Sequence, residues 1–287
     1  MLDIWNEISK VGMGTLTYTA QLAAVVAAFW LLEAVWGEGP TGGLVNRGYN
    51  LLVMLIQSLG MYLAGMALRP VESWLGHHGL IPWLLPDWKA QGWIGIVLAT
   101  LVFALVYDFF HYWAHRAQHA VPLFWIFHRV HHNDATMDSS TSVRHSLGAG
   151  IIGSVLASFP TTLICGETLL PNIGAYVLFW GWFMFSHANI KLSLGKLGWV
   201  FVGPQNHRIH HGRSETYYNR NYAQFFPVYD WLFGTLRHPE KDEWPATGVE
   251  GDDGPHNAFS QVFTPWRTAK KSVPSGSSVE AETPAAS

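Results

Sequence analysis

Long apolar runs alternate with short polar or proline-containing segments along this chain. Residues 17–36 form the first run, broken only by Glu33 near its end. About 20 apolar residues let a helix cross a bilayer, so a first transmembrane helix is expected here. Residues 48–68 carry no charge and predict a second. Between residues 69 and 92, Pro70, Pro82 and Pro86 should break the helix, and Trp74 and Trp83 suit the membrane–water interface. His77 and His78 lie there without helical spacing to other histidines and read as an exposed loop.

Residues 93–110 predict a third span of about 27 Å. Asp108, His111, His115 and His119 follow at three- and four-residue steps, so the same helix should continue past the membrane with a polar stripe. Residues 147–165 and 171–186 are two further runs joined by a short turn, and Pro160 should kink the first. Two straight spans or a tilted, re-entrant hairpin fit equally. His145 precedes this hairpin and His187 follows it. A chain that enters and leaves on one face returns both to the face that holds His115 and His119.

After His211 the chain reads as soluble, and from residue 270 its Ser, Pro, Glu and Ala content predicts a disordered tail. The fold class expected is all-α: a membrane bundle of about four to five transmembrane or re-entrant helices, capped by a helical metal domain. The divisions are 1–92 (spans and interfacial loop), 93–237 (catalytic region), 238–269 (cytoplasmic extension) and 270–287 (tail). Arg116, Arg129, Arg144, Lys191, Lys196, Arg208 and Arg213 gather near the span ends on the histidine face. The positive-inside rule makes that face cytoplasmic and puts the N-terminus outside. No basic segment with a cleavage site opens the chain, so a signal peptide is not expected.

Composition narrows the chemistry. Only 13% of residues are charged and the net charge is −3, which leaves no dense basic face for nucleic acid. Cys165 is the single cysteine, so no thiolate site or disulfide framework is available. A metal must be held by nitrogen or oxygen.

Eleven of the fifteen histidines fall within residues 107–212. His115 and His119 are i, i+4. His128, His131 and His132 are i, i+3, i+4, and His207, His210 and His211 repeat that box. On a helix each set occupies one face. Eight imidazoles are thus presented together, with His187 a plausible ninth. Nine exceed one zinc site, whereas two metals sharing them would have four or five each. Imidazole does not choose between iron, zinc, copper and nickel. A pair of irons suits the four-electron reduction of dioxygen, and zinc could substitute in purified protein.

His111 lies on the stripe of His115 as a ligand, a neighbouring donor or an interface residue, and His145 beside Arg144 is open in the same way. Asp108 is placed to orient a ligand imidazole by accepting its other N–H, with Asn206 and Asp230 as weaker candidates. His238 and His256 read as surface residues.

The run from Asp108 to His119, the box at His128–His132 and the run from Asn206 to Gly212 resemble the fatty acid hydroxylase / sterol desaturase superfamily. Asn221, Tyr222 and the stretch from Tyr229 to Thr235 resemble its segment after the last box. The resemblance covers roughly residues 95–237. It implies an integral membrane enzyme whose di-iron centre activates dioxygen and attacks a C–H bond of a lipid. Its ligands would be His115, His119, His128, His131, His132, His187, His207, His210 and His211. Some members carry a further histidine four residues after the one matched by His187, where this chain has Lys191. The cytochrome b5 signature of some members is absent here. Electrons would therefore come from a separate donor (cytochrome b5-like, ferredoxin or reductase). Hydroxylation is the leading outcome, desaturation on the same scaffold the alternative, and a non-catalytic membrane zinc-binding protein the reading from another class.

Overall fold

A computed structural model describes residues 2–38, 42–77, 92–165, 173–252 and 256–267. Among them there is no strand, only isolated bridges such as Gly37 to Ile190. The helices are α1 (Leu2–Trp36), α2 (Gly43–His77), α3 (Gly92–Ala120), α4 (Pro122–His132), α5 (Leu147–Gly153), α6 (Phe159–Cys165), α7 (Ile173–His187), α8 (Pro204–His210), α9 (Val228–Leu232) and α10 (Ala258–Phe263). The turn at 166–170, His78 and the tail from residue 270 lie outside the described residues.

Among the described residues, two helical stretches are long and apolar enough to cross a membrane, Gly92–Ala120 and Leu147–Cys165, and Ala20–Trp36 is a shorter apolar helix. The two faces of α3 explain its position. Gly95, Ala99, Phe103, Ala104 and Asp108 are buried, while Trp93, Val97, Leu101, Leu105 and Phe109 form an exposed apolar stripe at helical spacing. Such a stripe is costly in water and favourable against acyl chains. The buried face of α3 meets Cys165 of α6 and Phe179 of α7. Leu22 and Val26 of α1, Met54 of α2 and Met184 of α7 form a second cluster with Val143.

Pro70 does not end α2, which continues to His77. Apolar helices tolerate proline where neighbouring groups or local adjustments satisfy the freed carbonyl. The effect of Pro160 falls upstream, where residues Ser154–Ser158 form a π-helical segment between α5 and α6. Proline lacks the N–H that would continue the ladder, and a widened turn absorbs the mismatch.

The segment after His211 packs against α3: Tyr229 of α9 donates its hydroxyl to the Leu105 carbonyl at 2.8 Å, and its ring meets Phe109 at 5.8 Å. Trp231 and Leu232 remain exposed beside that apolar stretch. Residues 238–252 and 256–267 likewise join the body. Val53 packs on Ala258 and Val262, Arg129 pairs with Asp252 at 2.6 Å, and His256 meets the other oxygen of Asp252. His238 lies 3.8 Å from the Trp199 ring. Neither histidine is a free surface residue.

Candidate metal centre

Four helices deliver the histidines. α3 supplies His115 and His119, then Val121 alone separates it from α4, which Pro122 starts in the first helical turn where no N–H is needed. α4 carries His128, His131 and His132, α7 ends on His187, and α8 carries His207 and His210 with His211 as its cap.

All nine expected ligands converge, in two groups. His115, His119, His128, His132 and His210 form one, and His131, His187, His207 and His211 the other. Within each group the ligand nitrogens lie within 4.8 Å of one another. Both boxes divide alike: the i and i+4 residues enter one group and the i+3 residue the other. α4 gives its pair to the five-histidine group, and α8 gives its pair to the four-histidine group.

Tautomers are set by the backbone. Nδ1 of His115 faces the Tyr222 carbonyl at 2.8 Å, that of His210 faces Arg220 at 2.7 Å, that of His131 faces Thr141 at 3.1 Å, and that of His187 faces Phe183 at 2.8 Å. A carbonyl can only accept, so each Nδ1 carries the proton and each Nε2 is left with a lone pair. Those Nε2 atoms face inward, at 3.0 Å between His115 and His128 and 3.1 Å between His131 and His187. Nε2 of His119 and His210 and both nitrogens of His211 are buried without a hydrogen-bond partner. Orphaned buried nitrogens are expensive. A cation between the lone pairs would satisfy them, and an all-imidazole set suits a borderline transition metal.

Electrostatics agrees. Burial holds His128, His131, His132, His207 and His211 well below the ordinary imidazole range, with neighbouring histidines adding to it. It lowers His210 to about 3. Neutral imidazole is the form that ligates.

His111 and His145 belong to neither group. His111 stacks on Tyr107 at 5.5 Å, and His145 stacks on His131 at 4.5 Å with its Nε2 at the Ser142 carbonyl. Asp108 does not touch an imidazole. Its oxygens accept the backbone N–H groups of Gln224, Phe225 and Phe226 at 2.7, 3.0 and 2.7 Å. Asp230 accepts from Tyr222 and Ala223 N–H and the Thr235 hydroxyl. Both carboxylates therefore fix the loop whose Tyr222 carbonyl turns His115, at one remove from the role expected of them. Asn206 offers its carbonyl to Asn221 Nδ2, and its own Nδ2 is buried without a partner.

The groups that orient the imidazoles are main-chain carbonyls, invisible to a search for residue types. One signal was available: Asn219 and Asn221 adopt positive φ on either side of Arg220, and asparagine tolerates that conformation.

Residues 100–235 match the fatty acid hydroxylase family. The alkylglycerol monooxygenase of Danio rerio is 28% identical over 233 residues, covering 79% of this chain and 49% of that protein. The Homo sapiens alkylglycerol monooxygenase is 33% identical over 167 residues, 56% of this chain and 36% of that protein. The very-long-chain aldehyde decarbonylase CER1 of Arabidopsis thaliana is 28% identical over 183 residues, 59% of this chain and 29% of that protein. The chain thus spans about a third to a half of the length of the curated relatives it matches. No solved structure matches it.

Proposed function

We propose that this chain, whose residues 100–235 match the fatty acid hydroxylase family, is a multi-pass membrane oxygenase that hydroxylates a C–H bond of a lipid. The nine histidines would hold two iron ions, five imidazoles around one and four around the other. Iron bound there supplies dioxygen activation, which no protein side chain can provide. The chain supplies position, dryness and access. The four carbonyls at Tyr222, Arg220, Thr141 and Phe183 keep Nε2 lone pairs aimed inward. Burial excludes water and keeps the imidazoles neutral, each with one ring nitrogen free to ligate. The exposed apolar stripe of α3 lies against acyl chains, so a substrate tail reaches the centre from the bilayer. Electrons come from a separate donor, and the histidine face is cytoplasmic.

One observation carries this reading: nine imidazoles sorted into two groups, four of them with the ring proton on a main-chain carbonyl and the lone pair turned inward. Two of the relatives are named for alkylglycerol, which makes an alkyl-chain glycerol lipid the first substrate to test. Iron-loaded protein with a reductant and that lipid is expected to consume dioxygen. His131→Ala and His210→Ala should abolish the consumption and lower bound iron while membrane insertion persists. Full activity in either variant refutes the ligand assignment. Zinc alone, with no lipid changed, would make the chain a metal-binding protein instead.

A further inference from the structure

The four-histidine group depends on a carboxylate that precedes the family-matched region. Glu33 lies near the end of α1 and is 4% exposed. Its Oε1 accepts the backbone N–H of Ser139 at 2.7 Å and of Asn189 at 2.9 Å. Its Oε2 pairs with Arg47 of α2 at 2.9 Å, and the same guanidinium reaches Asp138 at 2.9 Å through Nε. One side chain thus grips two separate loops 50 residues apart.

Each loop leads to a histidine of the same group. Ser139 opens the 3-10 turn Ser139–Val143, which Asp138 caps from one end. Thr141 within it offers the carbonyl that meets His131 Nδ1. Asn189 stands two residues past His187, and its side chain accepts from Arg208 at 3.2 Å, beside His207. The five-histidine group is served separately: Asp230 holds the Tyr222 and Ala223 amides, and Tyr222 meets His115. We propose that Glu33, locked by Arg47, is a positioning residue for the four-histidine metal site alone, through Thr141 to His131 and through Asn189 to His187.

The physical case rests on burial. A carboxylate that accepts two amide N–H groups and a guanidinium makes charge-assisted hydrogen bonds, which are short and directional. Without it, two buried amides lose their acceptor and Arg47 keeps Asp138 alone, and both loops are free to shift. Metal sites respond steeply to such supports, at about 10–100-fold in affinity.

The inference rests on the two-ion reading, and counting iron(II) bound per chain under anaerobic conditions separates the two. Wild type is expected to hold two ions; fewer refutes the two-ion reading itself. Glu33→Ala should hold one. Adding His207→Ala should leave that count at one, because the affected site is shared, whereas adding His132→Ala should bring it to zero. Asp230→Ala should show the opposite pattern. A merely structural role for Glu33 would depress both sites together. Glu33→Gln keeps the Oε1 acceptor and loses the pair with Arg47, so it guards against misfolding of the alanine variant. It should bind the second iron about 10–100-fold more weakly than wild type. Two ions at wild-type affinity in Glu33→Gln, or equal weakening of both, overturns the proposal.

Discussion

His131 and His132 are adjacent in sequence and belong to different groups. That division decides what single substitutions do. His145 stacks on His131 but contributes to neither group, so His145→Ala should keep both ions, as read by metal analysis; loss of an ion would place it among the ligands. The pH response has a definite sign. The buried histidines titrate below their unfolded value of about 6.5, so the unfolded chain binds more protons as pH falls. Stability of the metal-free protein is therefore fully present above about pH 6.5 and lost as pH falls toward the folded values, about 3 for His210. Thermal unfolding of stripped protein between pH 7.5 and 5 should show a falling midpoint, and a flat profile would contradict the buried neutral imidazoles. The spacing of the boxes picked out the histidines that converge but not their partition. An i, i+3, i+4 box spans an arc of about 100°, wide enough to face two sites, and which residue meets which site depends on a second helix. The carbonyls at Thr141 and Phe183 carried no sequence signal at all, because every residue has one.

At the scale of elements, α9 is the least legible. Gly212 ends the last box, and a Cβ there would sit 2.6 Å from the Tyr217 side chain, Cβ included. Gly212→Ala is thus expected to cost about 1–3 kcal/mol by overpacking, seen as a lowered thermal midpoint in detergent; an unchanged midpoint would show that Tyr217 gives way freely. α9 falls in the stretch after His211 that the sequence predicts to be soluble, aromatic and ordered. Asp230 is turned inward on two amides, which leaves Trp231 and Leu232 beside the apolar stripe of α3. Lipids with brominated acyl chains should quench Trp231, measured as the difference between wild type and Trp231→Phe. Quenching by a water-soluble agent instead would place α9 in solvent. By contrast, α3 was legible from end to end: an apolar span and a histidine stripe in one unbroken periodicity need no tertiary information.

The whole molecule is a helical bundle whose apolar helices end at a buried histidine centre. The return of the chain was legible from parity alone: His145 precedes α5, His187 ends α7, and both rings lie within 5 Å of His131. Orientation was less so. Two of the cations counted toward a cytoplasmic face, Arg129 and Arg144, are buried against Asp252 and Asp134 and serve the fold. Charge in sequence does not distinguish a lipid-facing arginine from an internal one. The support of the metal centre by α1 and α2 was equally hidden, because Glu33 appeared only as an interruption in an apolar run. Insertion of an oxygen atom into a lipid is the activity proposed for this centre. It is tested most directly by supplying dioxygen of the heavy isotope to membranes that contain the wild-type chain or His131→Ala and weighing the lipids. A lipid carrying one heavy oxygen atom in the wild type, absent from His131→Ala, is the result predicted. A lipid that loses two hydrogens and gains no label, or no changed lipid at all, would contradict it.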